Sequence, residues 1–177
     1  MPVTLRPVSQ DDQAFLLQLY SQSRIDEMGA RDWDPKQQEF FLRMQFNAQQ
    51  RFYQAEYADA DYRIILLDQQ PVGWIVIARR DDEMLGVDIA LLPEQRNAGI
   101  GTLLLREMMA EATQTGKPIH LQVTKFNPAI RLYERLGFSK IGETGTHFLM
   151  EWKPKDRNEN HKSDGNGISM LHTRPLP

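Results

Sequence analysis

The spacing of apolar residues changes period along this chain, and each change predicts an element. Val3 to Arg6 reads as a short strand. Ser9, with Asp12 three residues on, then starts a helix whose apolar face is Phe15, Leu16, Leu19 and Tyr20. Asp34 followed by Pro35 repeats the start signal, because a proline at the first helical position gives up an N–H that had no partner. Phe40, Phe41, Met44 and Ala48 supply the predicted apolar stripe of this second helix, with Gln45, Phe46 and Gln49 beside it. A polar loop carrying Trp33 joins the two helices. From Tyr62 the period drops to two: Arg63 to Leu67, Val72 to Ala78 and Met84 to Leu92 predict an antiparallel meander. Pro118 opens an alternating strand of Ile119, Leu121 and Val123, and Phe138 to Ile141 and His147 to Trp152 predict two more strands.

Between the third meander strand and the next helix runs L-L-P-E-Q-R-N-A-G-I-G-T, Leu91 to Thr102. After it, Ile100, Leu103, Leu104, Met108 and Ala112 recur at helical spacing, and Gly116 ends the helix. At such a strand-to-helix junction the first helical N–H groups lack partners and sit at the positive end of the peptide dipoles, so they suit an anion. Gly99 and Gly101 remove side chains that would hold a phosphate away from this backbone. The plain structural alternative is a loop that needs positive φ before a helix. Gly101, Thr102 and Leu103 stand where a P-loop needs Gly-Lys-Ser/Thr, and Leu104 stands where a dinucleotide fingerprint needs its third glycine.

Composition narrows the setting. At 177 residues the chain can bury one good core and is short for two ordinary domains. A net charge of -3 offers no basic field for nucleic acid or for an anionic membrane. With no cysteine there are no disulfides or thiolate metal ligands, and four scattered histidines show no metal spacing. The start, M-P-V-T-L-R-P-V-S-Q-D-D, lacks a charged-then-apolar pattern, so the expectation is a soluble cytoplasmic domain over residues 1–152. Residues 153–177 turn charged and Asn-rich and are expected to form a flexible tail.

A second block, N-P-A-I-R-L-Y-E-R-L-G-F, spans Asn127 to Phe138; Asn127 can cap a helix that Gly137 stops. Taken together, R-N-A-G-I-G and this block resemble the GCN5-related N-acetyltransferase (GNAT) superfamily. The first matches its Q/R-x-x-G-x-G/A motif at Arg96, Gly99 and Gly101. The second matches N-x-x-A-x-x-L-Y-x-x-x-G-F at Asn127, Ala129, Leu132, Tyr133, Gly137 and Phe138. The resemblance implies an α/β (α+β) fold with a mixed, mostly antiparallel sheet of six to seven strands flanked by about four helices. It also implies acetyl-CoA as co-substrate, direct transfer to a primary amine of a small molecule, peptide or protein, and a possible homodimer. A CoA-binding module that has lost turnover is the alternative from another class.

Carried over residue by residue, the resemblance assigns the CoA pyrophosphate to the backbone of Arg96, Asn97, Ala98, Gly99, Ile100, Gly101 and Thr102. The main chain of Ile89, Ala90 and Leu91 would pair with the pantetheine arm and polarise the acetyl carbonyl, and Asn127 would touch the arm. Tyr133 would stand near the sulfur and protonate the departing thiolate; packing of the last helix is its structural alternative. For the base this chain departs from the pattern, since Leu85 fills a slot where many relatives carry glutamate. Strand alternation puts Glu83 on the same face as Leu85 and Asp88 on the opposite face unless a bulge intervenes. Glu83 is thus the first candidate and Asp88 the second, each with a solvated or backbone-capping alternative. His120 and His147 could line the acceptor cleft. Trp33, Phe41, Gln45, Phe46 and Gln49 belong to the region that forms the acceptor wall in similar proteins, though aromatics at helical spacing are mainly core.

Overall fold

In a computed structural model, the described residues are 2–28 and 32–155; the tail expected from residue 153 therefore lies outside them from residue 156 onward. Seven strands, β1 (Val3–Pro7), β2 (Asp61–Leu67), β3 (Gln70–Arg79), β4 (Met84–Leu91), β5 (Ile119–Thr124), β6 (Ser139–Glu143) and β7 (His147–Trp152), form one sheet in the order β1-β2-β3-β4-β5-β7-β6. Four α-helices accompany them: α1 (Gln13–Met28), α2 (Pro35–Glu56), α3 (Ile100–Thr115) and α4 (Ile130–Arg135). All neighbours pair antiparallel except β4 and β5. No helix among the described residues is long and apolar enough to cross a membrane.

Local chemistry sets several boundaries. Ser9 caps a single 3₁₀ turn, Gln10–Asp12, that runs into α1, and its backbone N–H donates to the Asp12 carboxylate at 2.8 Å. Arg6 reaches the same carboxylate with two N–H groups at 2.7 and 2.8 Å, which tethers β1 to the helix start and pulls the Asp12 pKa down to about 2. Asp34 caps α2 through the Gln37 N–H, as its Asp-Pro signal predicts. Gly99 and Gly116 flank α3 with φ of 85° and 69°, a region an L side chain rarely enters.

The sheet divides the core in two. On one face α3 and α4 bury Leu104, Leu105, Met108 and Tyr133 against Ile75, Ile77, Met84, Ile119, Leu121 and Met150. On the other, α1 and α2 bury Leu16, Leu19, Phe46 and Tyr53 against Ile64, Trp74, Val76 and Leu85. Each fully buried side chain of this size contributes about 1.5–3 kcal/mol. The second cluster contains no residue of β5, β6 or β7. On that face, among the described residues, the C-terminal half of the sheet carries no helix core and forms a trough.

One expectation fails in α2. Leu42, Phe46 and Tyr53 are its buried residues, whereas Phe40 and Met44 are 72% and 50% exposed. Two apolar stripes lie side by side on this helix, and only the docking angle against α1 and β3 selects between them. Phe46 packs at a tilt against Tyr20, 5.7 Å between centroids, and is a buried core residue.

Gly73 on β3 marks a close approach, since a Cβ there would meet the Ala90 carbonyl oxygen and come within 2.8 Å of Leu91 Cδ2. Alanine ordinarily suits a strand better than glycine. Here Gly73→Ala should instead destabilise by about 1–3 kcal/mol through overpacking, read from the urea midpoint; an unchanged or raised midpoint would contradict this packing.

Candidate active site

The site starts from a defect in the sheet. β4 pairs with β5 only over Met84↔Ile119, Leu85↔His120 and Gly86↔Leu121. On its other edge the β3 register jumps between Val76↔Asp88 and Ile77↔Gly86, so Val87 is an extra residue in β4. Past this bulge β4 and β5 part. In an antiparallel ladder alternate residues point their N–H and C=O groups to alternate neighbours. The Leu92 N–H goes to Val72 on the β3 side, so the polar groups of Leu91 and Ile89 point into the gap.

The bulge also decides which way Asp88 faces. The Tyr53 hydroxyl of α2 donates to its carboxylate at 3.3 Å, placing Asp88 on the α1/α2 face with Leu85. Trp74 and the Ile89 N–H also favour the ionised form of Asp88. Burial nevertheless outweighs Tyr53, these groups and the positive charge of Arg24, and pushes the carboxyl pKa up to about 6.

Across the gap, Tyr133 of α4 is 6% exposed and packs on Phe138 at 5.8 Å. Burial, and then the nearby Asp88 charge, push its phenol up to about 12, so it keeps its proton at neutral pH. Asp88 and Tyr133 therefore stand on opposite faces of the sheet, within electrostatic reach of one another through the gap.

At the C-terminal end of β4 a 3₁₀ turn, Pro93–Gln95, leads through Asn97, at φ 60°, to Gly99. The first intrahelical bond of α3 runs from the Leu103 N–H to the Gly99 carbonyl, which leaves the preceding amides of Ile100, Gly101 and Thr102 at the open helix end. Nothing lies within 4 Å of a Cβ built on Gly99, and only Leu132 lies near one on Gly101, at 3.6 Å. The Arg96 side chain turns back toward α1: Nε donates to the Leu91 carbonyl at 3.1 Å and Nη2 to the Ser23 hydroxyl at 3.3 Å. Any anion here is met by main chain, with Ala98 adding no charge. Asn127 accepts the Ala129 N–H through Oδ1 at 2.9 Å, shaping the turn before α4, which begins two residues later than its cap signal suggests.

Glu83, the first candidate base, lies in a different environment. His120 Nδ1 is 2.6 Å from Glu83, His120 Nε2 is 2.9 Å from Glu151, and Arg80 reaches Glu83 at 3.3 Å. Two carboxylates facing both ring nitrogens require both to carry hydrogen, so His120 is an imidazolium. The Glu83 hydrogen bond raises its pKa despite burial, and the same bond lowers that of Glu83. A carboxylate so engaged is a poor acceptor for a further proton. Period-two placement on β5 brings His120, Gln122 and Thr124 to the trough face, opposite Ile119, Leu121 and Val123. His147 lines the trough beside Gln122 and Leu149. Trp33 packs edge-on to Phe41 at 5.3 Å and is 43% exposed; Gln45 and Gln49 are half-buried on α2.

Comparison with known proteins identifies the family and the fold. A model of the Acetyltransferase (GNAT) family matches residues 24–138. The chain belongs to that family. A curated relative, the [ribosomal protein bS18]-alanine N-acetyltransferase of Haemophilus influenzae, is 30% identical over 78 residues, 44% of this chain and 53% of the relative. The match thus spans about half the length of that relative. Among solved structures, the PaiA N-acetyltransferase of Thermoplasma acidophilum in complex with coenzyme A superposes with a TM-score of 0.65 at 21% identity, covering 86% of this chain and 99% of that one. The Escherichia coli ribosomal-protein-S18-alanine N-acetyltransferase gives 0.61 at 18%, covering 92% and 100%. Both share the fold. The seven-stranded, mostly antiparallel sheet with four helices is the GNAT fold that the two sequence blocks imply.

Asp88 carries a testable energetic consequence. Its carboxyl titrates near pH 6 when folded and near its usual 3.8 when unfolded, so its favourable contribution is complete below about pH 4 and is lost as pH rises through 6. The loss reaches at most about 3 kcal/mol. Asp88→Asn should therefore gain stability in urea titrations at pH 8, with the gain shrinking toward pH 4; equal or lower stability at pH 8 would show that the carboxylate is not strained by burial.

Proposed function

We propose that this protein is an acetyl-CoA-dependent N-acetyltransferase that moves the acetyl group directly to a primary amine within a ternary complex. The observation that carries the reading is the gap between β4 and β5, bounded by free helix amides at one end and by Tyr133 and Asp88 on its two faces. Backbone N–H groups of Ile100, Gly101 and Thr102 suit a pyrophosphate, and the Leu91 N–H suits a pantetheine amide. The Ile89 N–H, on the gap side of β4, suits the acetyl oxygen, placing a donor where negative charge develops.

Asp88 is the base this geometry favours, ahead of Glu83. An amine acceptor is mostly protonated at pH 7, with a lysine-like pKa of about 10.4, and must lose a proton before it attacks. A carboxyl at about 6 is ionised at pH 7 yet basic enough to take that proton. Attack forms the C–N bond, the C–S bond breaks, and the Tyr133 phenol passes its proton to the departing sulfur; the second proton that the nitrogen sheds on becoming an amide leaves to solvent, from which Tyr133 regains its own. With no cysteine in the chain, an acetyl-cysteine intermediate is not a route.

The acceptor class is a primary amine. The curated relative acts on an alanine of ribosomal protein bS18, which makes a peptide α-amine the first acceptor to try, ahead of small diamines and lysine side chains. Acetyl-CoA as donor fits a cytoplasmic setting.

Release of free CoA thiol from acetyl-CoA is the test, run with an alanine-initiated tetrapeptide amide, putrescine and a lysine-containing peptide. Acceptor-dependent release is expected with at least one. Binding of CoA without release from any amine would favour a module without turnover. Tyr133→Phe should lower kcat by about 100-fold or more and leave the CoA Kd within twofold; unchanged kcat would remove the acid role. The kcat/KM profile should rise with pH through about 6 as Asp88 ionises, and this limb should vanish in Asp88→Asn.

A further inference from the structure

Gln122 is the first residue of β5 beyond its pairing with β4, which ends at Gly86↔Leu121. It lies on the trough face, because Leu121 and Val123 on either side are buried in the opposite core. The bulge at Val87 brings Asp88 to that same face. The parting strands thus present two polar side chains to the trough at the point where they separate, one from each strand. Gln122 also lines a cavity of about 180 Å³ that extends over β7 toward Glu143, His147 and Leu149.

The Oε1 of Gln122 is buried and has no hydrogen-bond partner. Leaving a buried acceptor unpaired costs about 1–3 kcal/mol, so native folds keep few of them. Gln22, Gln45 and Gln50 each carry a similar atom, but all three sit on α1 or α2. Gln122 differs in standing at the parting of the strands, where the proposed reaction places its acceptor nitrogen.

We infer that Gln122 positions the acceptor amine, its Oε1 accepting one N–H while Asp88 takes the proton that must leave. The inference rests on the function proposed above and extends it to a specificity for unsubstituted amines. A primary ammonium brings three hydrogens: one is transferred to Asp88, which frees the lone pair that attacks the acetyl carbon, one is donated to Gln122 throughout, and the third leaves as the amide forms. A carboxamide oxygen is far too weak a base to compete with Asp88 for the proton, so it orients without changing the charge of the nitrogen. An N-methylated amine has one N–H fewer, so the hydrogen held by Gln122 is the one that must leave as the amide forms, and the orienting contact is lost before the reaction is complete.

The test uses the full chain and whichever amine of the panel it turns over fastest. Gln122→Leu, close in size and lacking the acceptor, should raise KM for the amine by roughly 10- to 100-fold with the CoA Kd within twofold. Gln122→Glu retains an acceptor oxygen, so it should keep the amine KM within about threefold of the parent. Its added negative charge near Asp88 should move the acidic limb of kcat/KM upward. The unsubstituted protein should prefer the primary amine to its N-methyl counterpart by tenfold or more, a reading that needs no variant to fold. The inference is overturned if Gln122→Leu leaves the amine KM within twofold, if CoA affinity falls in parallel, or if the N-methyl amine is used equally well. Turnover by the parent together with any of these leaves the acetyltransferase reading standing, whereas no turnover with any amine overturns both.

Discussion

The organisation of this protein depends on one extra residue in one strand. Val87 has no partner on β3, and two residues after the last β4–β5 pair the sheet has already opened. A continuous ladder would consume the polar groups of Ile89 and Leu91 between strands. The bulge instead turns Asp88 onto the α1/α2 face and leaves main chain available along an internal edge. Such an edge is normally a liability that proteins cover. Here it lies in the middle of the sheet, walled by α3 and α4 on one side and by α1 and α2 on the other, so a slender ligand can pair with it where another strand cannot.

The remaining features follow from this opening. α3 starts at the C-terminal end of β4, which places its free amides at the mouth of the gap. α4, shaped by Asn127 and Gly137, sets Tyr133 against the α3 face. Tyr53 holds Asp88 on the other face at a site where burial raises its carboxyl pKa to about 6. In the proposed reaction the acid and the base are thus separated by the sheet, each reaching the gap from its own side. The Glu83–His120–Glu151 cluster lies where β4 and β5 are still paired, at Leu85↔His120. It fastens the floor of the trough by ion pairing.

How much of this was legible in the residue order varied with the range of the interaction concerned. Period-two runs, the Asp34-Pro35 start and the glycines at 99 and 116 act within a few residues, and the strands, helix starts and glycine turn were visible accordingly. The two family blocks carried the fold as a whole. The rotation of α2 was not visible, because Leu42, Phe46 and Tyr53 compete with Phe40, Phe41 and Met44 as equally apolar stripes and only packing on distant strands chooses. Nor was the face of the sheet that Asp88 takes, since alternation assigns it to the opposite one unless a bulge is known. Glu83 resembled a solvated turn residue because its buried partner His120 arrives from 37 residues away, itself held by Glu151. Gln122 lacked any local mark beyond its place in an alternating strand; its unpaired oxygen is a property of the folded surroundings alone.

Residue-resolved amide exchange with and without CoA tests the central claim most directly. If the parting of β4 from β5 is a ligand slot, the Leu91 amide and those of Ile100 to Thr102 exchange rapidly in the free protein. They become protected on adding CoA, while Met84 to Gly86, already paired with β5, stay unchanged. Protection that leaves Leu91 and the start of α3 untouched, or that spreads evenly over the sheet, would contradict the account.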